Sequence, residues 1–300
     1  MSDQAGTASR RSYPVNAADL PVRAQGLLDD GFRLALVAAH EDDEAFRIVY
    51  LFTAGGPDRR VELMLRSDLG APEVPSLATL SFCAGRFERE MHDLYGIVPV
   101  DHPLPQRLVQ HRHCPDGWFP MRSDAGVPPP FAAPDEALPV RADEHPGGSE
   151  LALGPIHGTL SEPGRFRFSL VGETIVQLRA QLWFTHKGIE KLAEGRSPEA
   201  ALPLAERVAG DTTVGHTLAY CLAVEDAFNW EVPPQAGLLR AVLLELERLY
   251  NHVADLGALC NDAGHGIGNA QLLRIREQLL RINATAVSYT HLTLPTTPYV

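Results

Sequence analysis

Three hundred residues predict about two domains, since one domain takes roughly 100–200. Hydrophobic residues make up 45% and charged residues 21%, which excludes collagen-like, coiled-coil and wholly disordered chains. A formal net charge of −12 argues against a general nucleic-acid binder, which needs basic surface to meet phosphate.

No run of 18 apolar residues occurs, so no transmembrane helix is expected. The N-terminus carries Arg10 and Arg11 with no apolar segment behind them. It does not read as a signal peptide, and the default location is cytoplasmic. The four cysteines, Cys83, Cys114, Cys221 and Cys260, form no CxxC pair. Reduced, buried thiols are expected rather than a disulfide framework or a self-contained zinc or iron–sulfur site.

In chain order, residues 1–17 are polar and aperiodic and are expected to be a flexible terminus. The first domain spans 18–123. Within 32–66, FRLALVAAH, FRIVYLFTA and RRVELMLRS read as three strands of an antiparallel meander, divided by the turns Glu41–Glu44 and Ala54–Asp58. In residues 76–97, Leu77, Leu80, Phe87, Met91, Leu94 and Tyr95 recur with helical spacing, so a helix ending near Gly96 is predicted. Seven prolines and Gly147-Gly148 crowd residues 120–148, and 124–148 reads as an extended linker.

The second domain spans 149–284. RFRFSLVGETIVQL predicts a hairpin turning at Val171-Gly172. Helices follow from Trp183 to about Arg196, from Leu204 to Asn229, from Ala236 to Cys260 and from Ala270 to Asn283. On the third, Leu239, Val242, Leu243, Leu246, Leu249, Tyr250, Val253 and Leu256 form one apolar stripe. The fold class expected is an α+β domain (antiparallel sheet with helices), then a mostly α-helical domain entered through a β hairpin.

Several polar clusters fall on these helices. Glu88 with His92, and Glu90 with Asp93, share helix faces. They suit either a metal-binding cluster or a solvated or interface face. Asp211, His216, Glu225 and Asp226 sit on the second helix. His216 is a candidate cavity residue, while Glu225 and Asp226 are expected to make structural salt bridges. Glu245, Arg248 and His252 share one face of the long helix, as a buried ionic network or as its polar edge. His186/Glu190 and Lys187/Lys191 read as helix-face pairs.

As strings, Glu88-Arg-Glu-Met-His-Asp-Leu-Tyr-Gly96, Asp101-His-Pro103, Gln106-Arg107 and Phe119–Arg122 resemble the C-type subunit of NADH-quinone oxidoreductase, respiratory complex I. The second half resembles the D-type subunit of that enzyme and, more closely, the large subunit of membrane-bound, energy-converting nickel–iron hydrogenases of the hydrogenase-4 and formate hydrogenlyase type. The strings are Gly154-Pro-Ile-His157, Glu162-Pro-Gly-Arg-Phe-Arg-Phe168, His186-Lys-Gly-Ile-Glu-Lys191 and Leu244-Glu-Leu-Glu-Arg-Leu-Tyr-Asn-His252.

The resemblance implies a peripheral large subunit of an oxidoreductase complex on the cytoplasmic side of a prokaryotic inner membrane. Its partners would be a small iron–sulfur subunit and membrane-arm subunits. Electrons from the partner's cluster would be coupled to proton or ion translocation. Any NAD site would lie on another subunit, because no nucleotide-binding Gly-rich loop is present. The family's nickel-binding cysteine pair falls on Ala209 and Thr212, neither a thiolate, so no nickel is expected. Ser161 falls at the quinone branch's His and Gly210 near its Tyr, with His157 a substitute if the hairpin register shifts. His157 and Ser161 are thus candidates for a quinone or acceptor cavity. Glu162 and His216 are candidates for proton transfer. Arg165 and Arg167 are expected beside the partner's iron–sulfur cluster. The rival reading is a redox-inactive coupling scaffold.

Residues 285–300 carry no charge. The stretch 287–296 resembles the in-frame translation of a sequencing-library adapter. The expectation is a non-native tail on a helical domain cut short at its C-terminus, inactive as an isolated fragment. Such a domain would expose apolar faces of the 236–260 and 270–283 helices.

Overall fold

The computed structural model describes residues 9–55, 58–111, 113–131, 148–156 and 163–289. Contacts divide the chain into two units, 1–186 and 187–300. This division falls later than the expected boundary after residue 148. Residues of the stretch that follows the hairpin turn back onto the first unit: the Leu182 carbonyl meets the His111 ring nitrogen at 3.2 Å, and Phe184 packs edge-on against that ring.

The first unit opens with β1 (Ser9–Pro14), α1 (Leu20–Asp29), β2 (Arg33–Glu41), β3 (Ala45–Ala54) and β4 (Arg59–Asp68). It continues with β5 (Glu73–Pro75), α2 (Phe82–Tyr95) and β6 (Val98–Val100). The main sheet runs β1-β4-β3-β2, and β2–β4 form the expected antiparallel meander. On β3 the side chains of Phe46, Ile48, Tyr50 and Phe52 alternate inward and are all but fully buried under the helices. Each such burial is worth about 1.5–3 kcal/mol.

Residues 9–14 are not the loose terminus expected. They pair parallel with β4 at the sheet edge, with Ser9 opposite Arg59 and Pro14 opposite Met64. Glu62 holds the strand through Arg10 at 2.9 Å and the Ser12 hydroxyl. An edge strand facing solvent shows no alternation for sequence reading to find. Helix α1 was not anticipated either. Its start signal is Asn16, whose side chain accepts the Asp19 N–H at 2.8 Å just ahead of Leu20-Pro21. Helix α2 starts at Phe82, six residues later than expected, because residues 76–81 form a turn pinned to the helix's own Glu88. It ends at Gly96 as expected. There φ is +75° and an added Cβ would lie 2.7 Å from the Phe119 ring, so glycine is required.

A three-stranded antiparallel sheet follows: β7 (Gly148–Leu153), β8 (Arg165–Val171) and β9 (Thr174–Gln181). The β8–β9 hairpin turns where expected, and β7 is an additional strand that begins on the last residue of the expected linker. Residues 132–147 of that linker lie outside the described residues.

The second unit holds α3 (Ile189–Ala193), α4 (Pro198–Ala205), α5 (Thr213–Phe228), α6 (Pro234–Asp262) and α7 (Gly266–Tyr289). The helix expected from Trp183 shrinks to α3, because Gly188 takes a left-handed conformation at φ +62°. The helix expected over 204–229 is two helices. Ser197 caps α4, the chain breaks across 206–212, and α5 ends at Asn229 as expected. Helix α7 continues six residues past Asn283, since no glycine or proline interrupts 284–289. On α6 only Leu243 and Tyr250 of the expected stripe are buried. Leu239, Val242, Leu249 and Leu256 are exposed, as are Leu273, Ile275 and Ile282 on α7. The α+β-then-helical layout stands, and no helix among the described residues is long and apolar enough to cross a membrane.

Candidate functional site

Of the three α2 carboxylates that invited a metal reading, Glu88 and Asp93 are buried anchors. Glu88 is fully buried; its oxygens accept the Ser76 hydroxyl at 2.6 Å and the Leu77 N–H at 2.7 Å. Burial pushes its carboxyl above the ordinary range. His102, from Asp101-His-Pro103, accepts the Leu104 N–H on Nδ1, so Nε2 carries the proton toward the Gly85 carbonyl at 3.0 Å. Asp93 points elsewhere. One oxygen accepts the N–H groups of Leu108, Val109 and Gln110 at 2.7, 2.9 and 3.1 Å. Arg107 then ties down the next loop through the carbonyls of Cys114 at 2.7 Å and Pro115 at 3.2 Å, and through Asp116. Glu88, Asp93, His102 and Arg107 thus hold loops of this unit.

On β8, Arg165 and Arg167 share the polar face of the strand. Arg165 is half-buried and opposite Gln181. Arg167 is buried, ion-paired to Glu150 at 3.3 Å and opposite Arg179. His157, Ser161 and Glu162 lie outside the described residues.

The second unit contains an open cavity of about 620 Å³ between α5 and α6. Asp211, Thr212 and His216 line it from the α5 side; Glu247, Arg248, Asn251, His252 and Asp255 line it from α6. His216 lines this cavity, half-buried on the first turn of α5. Glu247, buried, accepts the Val214 N–H at 2.6 Å and the Gly215 N–H at 2.8 Å. Asn251 donates to the Asp211 carbonyl at 2.7 Å. The Tyr250 hydroxyl donates to Glu247 at 3.3 Å, and burial, with the nearby Glu247 charge, pushes that phenol up to about 12.

The ionic network expected at Glu245, Arg248 and His252 does not form as a buried one. Glu245 and Arg248 pair on the surface, and His252 is exposed at the cavity rim. The buried pair is instead Arg240–Glu225, at 2.7 and 3.0 Å, beside the buried Cys221 thiol. The expected salt bridge of Glu225 is thereby identified. Of the expected helix-face pairs, Lys187 lies outside α3 and donates to the Val208 carbonyl at 2.7 Å. Sequence reading missed Glu247, Asn251 and Asp255. Their spacing of four along α6, a polar row beside the apolar stripe, was the available signal.

The family described as Respiratory-chain NADH dehydrogenase, 30 Kd subunit, matches residues 14–130, and the family described as Nickel-dependent hydrogenase matches residues 187–260. The chain joins a complex I 30 kDa domain to a hydrogenase large-subunit domain. It is 34% identical over 229 residues to formate hydrogenlyase subunit 5 of Escherichia coli (strain K12), covering 74% of this chain and 40% of that protein. It is 36% identical over 215 residues to hydrogenase-4 component G of the same organism, covering 70% and 39%. The NADH-quinone oxidoreductase C/D subunit of Gluconacetobacter diazotrophicus is 32% identical over 246 residues, covering 75% and 40%. The chain thus spans about two-fifths of the length of these relatives.

The second family's name implies nickel, and the donor set of this cavity does not fit it. Thiolates suit nickel as soft ligands. The segment 207–216 contains no sulfur-bearing side chain, and the cavity lining contains carboxylates, imidazoles, a guanidinium and an amide but no sulfur.

Proposed function

We propose that this chain serves as the fused large subunit of a membrane-associated oxidoreductase complex, where it shapes a proton-handling cavity next to a terminal acceptor. Electrons would arrive from an iron–sulfur cluster in a small partner subunit, with Arg165 and Arg167 on the side that faces it. Proton or ion translocation would be carried out by membrane-arm partners on the cytoplasmic side of the membrane. The supporting observation is the cavity around His216: two imidazoles and two exposed carboxylates line it, and no sulfur does. A quinone is the acceptor class that suits such a pocket, because its reduction consumes protons and needs no metal ligand from this chain. Imidazoles accept and donate protons and suit that delivery.

A redox-silent coupling scaffold is the second reading, favoured by the same Ala209 and Thr212. The test is the purified complex containing this chain. The proposal expects reoxidation of the partner's cluster by a soluble quinone and less than one tenth of a nickel ion per chain. One nickel per chain would contradict it, and clusters that quinone leaves reduced would favour the scaffold.

A further inference from the structure

The first N–H groups of any α-helix lack partners within the helix and are usually met by the N-cap side chain. Helix α5 does otherwise: its N-cap residue, Thr212, makes no side-chain cap bond. The acceptor comes from a different helix. Glu247 of α6 spans the gap and takes the Val214 and Gly215 N–H groups on its two oxygens. The residue that follows is His216.

Three further contacts show that this region is held from several sides. A Cβ added at Gly215 would lie 3.1 Å from the Glu247 carboxylate and 3.7 Å from Leu244, so the close approach uses the missing side chain. One turn along α6, Asn251 holds the Asp211 carbonyl. On the other side Lys187 holds the Val208 carbonyl. The segment 208–215 has no ligating side chain at 209 or 212, yet side chains from outside it fix its backbone at four positions.

Resting on the reading of the cavity as a proton-handling site, we infer that Glu247 is a positioning residue for His216. Its carboxylate locks the backbone entering His216 to α6, and so fixes where the imidazole enters the cavity that His252 and Asp255 line from the α6 side. Its two oxygens are both engaged by backbone N–H donors, so its part is to hold the segment in place. A local cap such as Thr212 would hold α5 alone. A cap from α6 couples the two walls of the cavity, so a shift of α6 moves His216.

The test uses the assembled complex with Glu247→Gln, His216→Gln, the double variant, and Glu245→Gln as a surface control on the same helix. Two readouts are taken: the rate of cluster reoxidation by a soluble quinone, and the carbethoxylation rate of His216 by diethyl pyrocarbonate, followed by peptide mass spectrometry. Glu247→Gln is expected to slow reoxidation about tenfold, to change His216 modification at least threefold, and to add less than twofold once His216 is already Gln. Glu245→Gln should alter neither readout. Full additivity in the double variant, or unchanged His216 modification in Glu247→Gln, overturns the inference. If His216→Gln leaves reoxidation intact, the proton-handling reading fails, and the modification rate alone then decides whether Glu247 positions the ring. Should Glu247→Gln fail to assemble, Gly215→Ala disturbs the same contact from the other side. It is expected to change His216 modification in the same direction, and no change there also overturns the inference.

Discussion

In the first unit Asp93 takes three backbone N–H groups on one oxygen, beneath Leu94, Leu108 and Val109. In the second unit Glu247 takes two and forms part of a cavity wall. The local chemistry is alike: a buried carboxylate accepts hydrogen bonds from backbone amides of another segment, at about 1.5–3 kcal/mol each. What differs is what those amides lead into. Beyond Asp93 lie apolar side chains and a loop tied down by Arg107. Beyond Glu247 lie His216, His252 and open volume. The device is structural in both places, and it acquires a functional consequence only where a titratable group stands on the other side.

The largest expected effect breaks the first member of this pair. Asp93→Ala strands three buried N–H groups and should lower the stability of the first unit by about 4 kcal/mol, read by chemical denaturation. It should leave His216 modification unchanged. A loss under about 1 kcal/mol, the net worth of one ordinary hydrogen bond, would show that the loop does not depend on the carboxylate.

In the second unit, Arg240→Met leaves Glu225 as an uncompensated buried charge and should cost about 3 kcal/mol, while Arg240→Met with Glu225→Leu should recover most of that loss. The same denaturation series checks it. Equal losses in single and double variants would mean that packing, not charge, holds α5 to α6 there.

The smallest effect concerns pH. Glu88 has a folded-state carboxyl raised above its ordinary 4.5 by burial, so the folded state holds that proton more tightly than the unfolded state. Stability should therefore fall as pH rises from about 4.5 through the raised value. Glu88→Gln should remove that slope, so the variant gains on wild type as pH rises across the window. Parallel stability curves from about pH 4 to 8 would contradict the assignment.

The strands β2–β4 were legible because one face is buried, and their apolar residues alternate. The edge strand β1 was not, because its run of Ser9, Arg10, Arg11 and Ser12 shows no alternation of apolar residues. Glu88 and Asp93 were visible as a motif, but helical spacing placed them with His92 and Glu90 on shared faces. It could not show that each reaches a different loop far along the chain. His216 was found through its place in a recognisable string. Glu247 was hidden by its neighbours: Leu243, Leu246 and Tyr250 make the helix read as a packing stripe, and a glutamate beside such a stripe looks like its solvent edge. Only the geometry shows that its partners are the amides of another helix.

The most direct test of the cavity's role is the reoxidation of the partner's iron–sulfur cluster by a soluble quinone in the complex carrying His216→Gln, compared with wild type. The account predicts that the variant assembles normally and reoxidises its cluster about tenfold more slowly or worse. Reoxidation at the wild-type rate would contradict it.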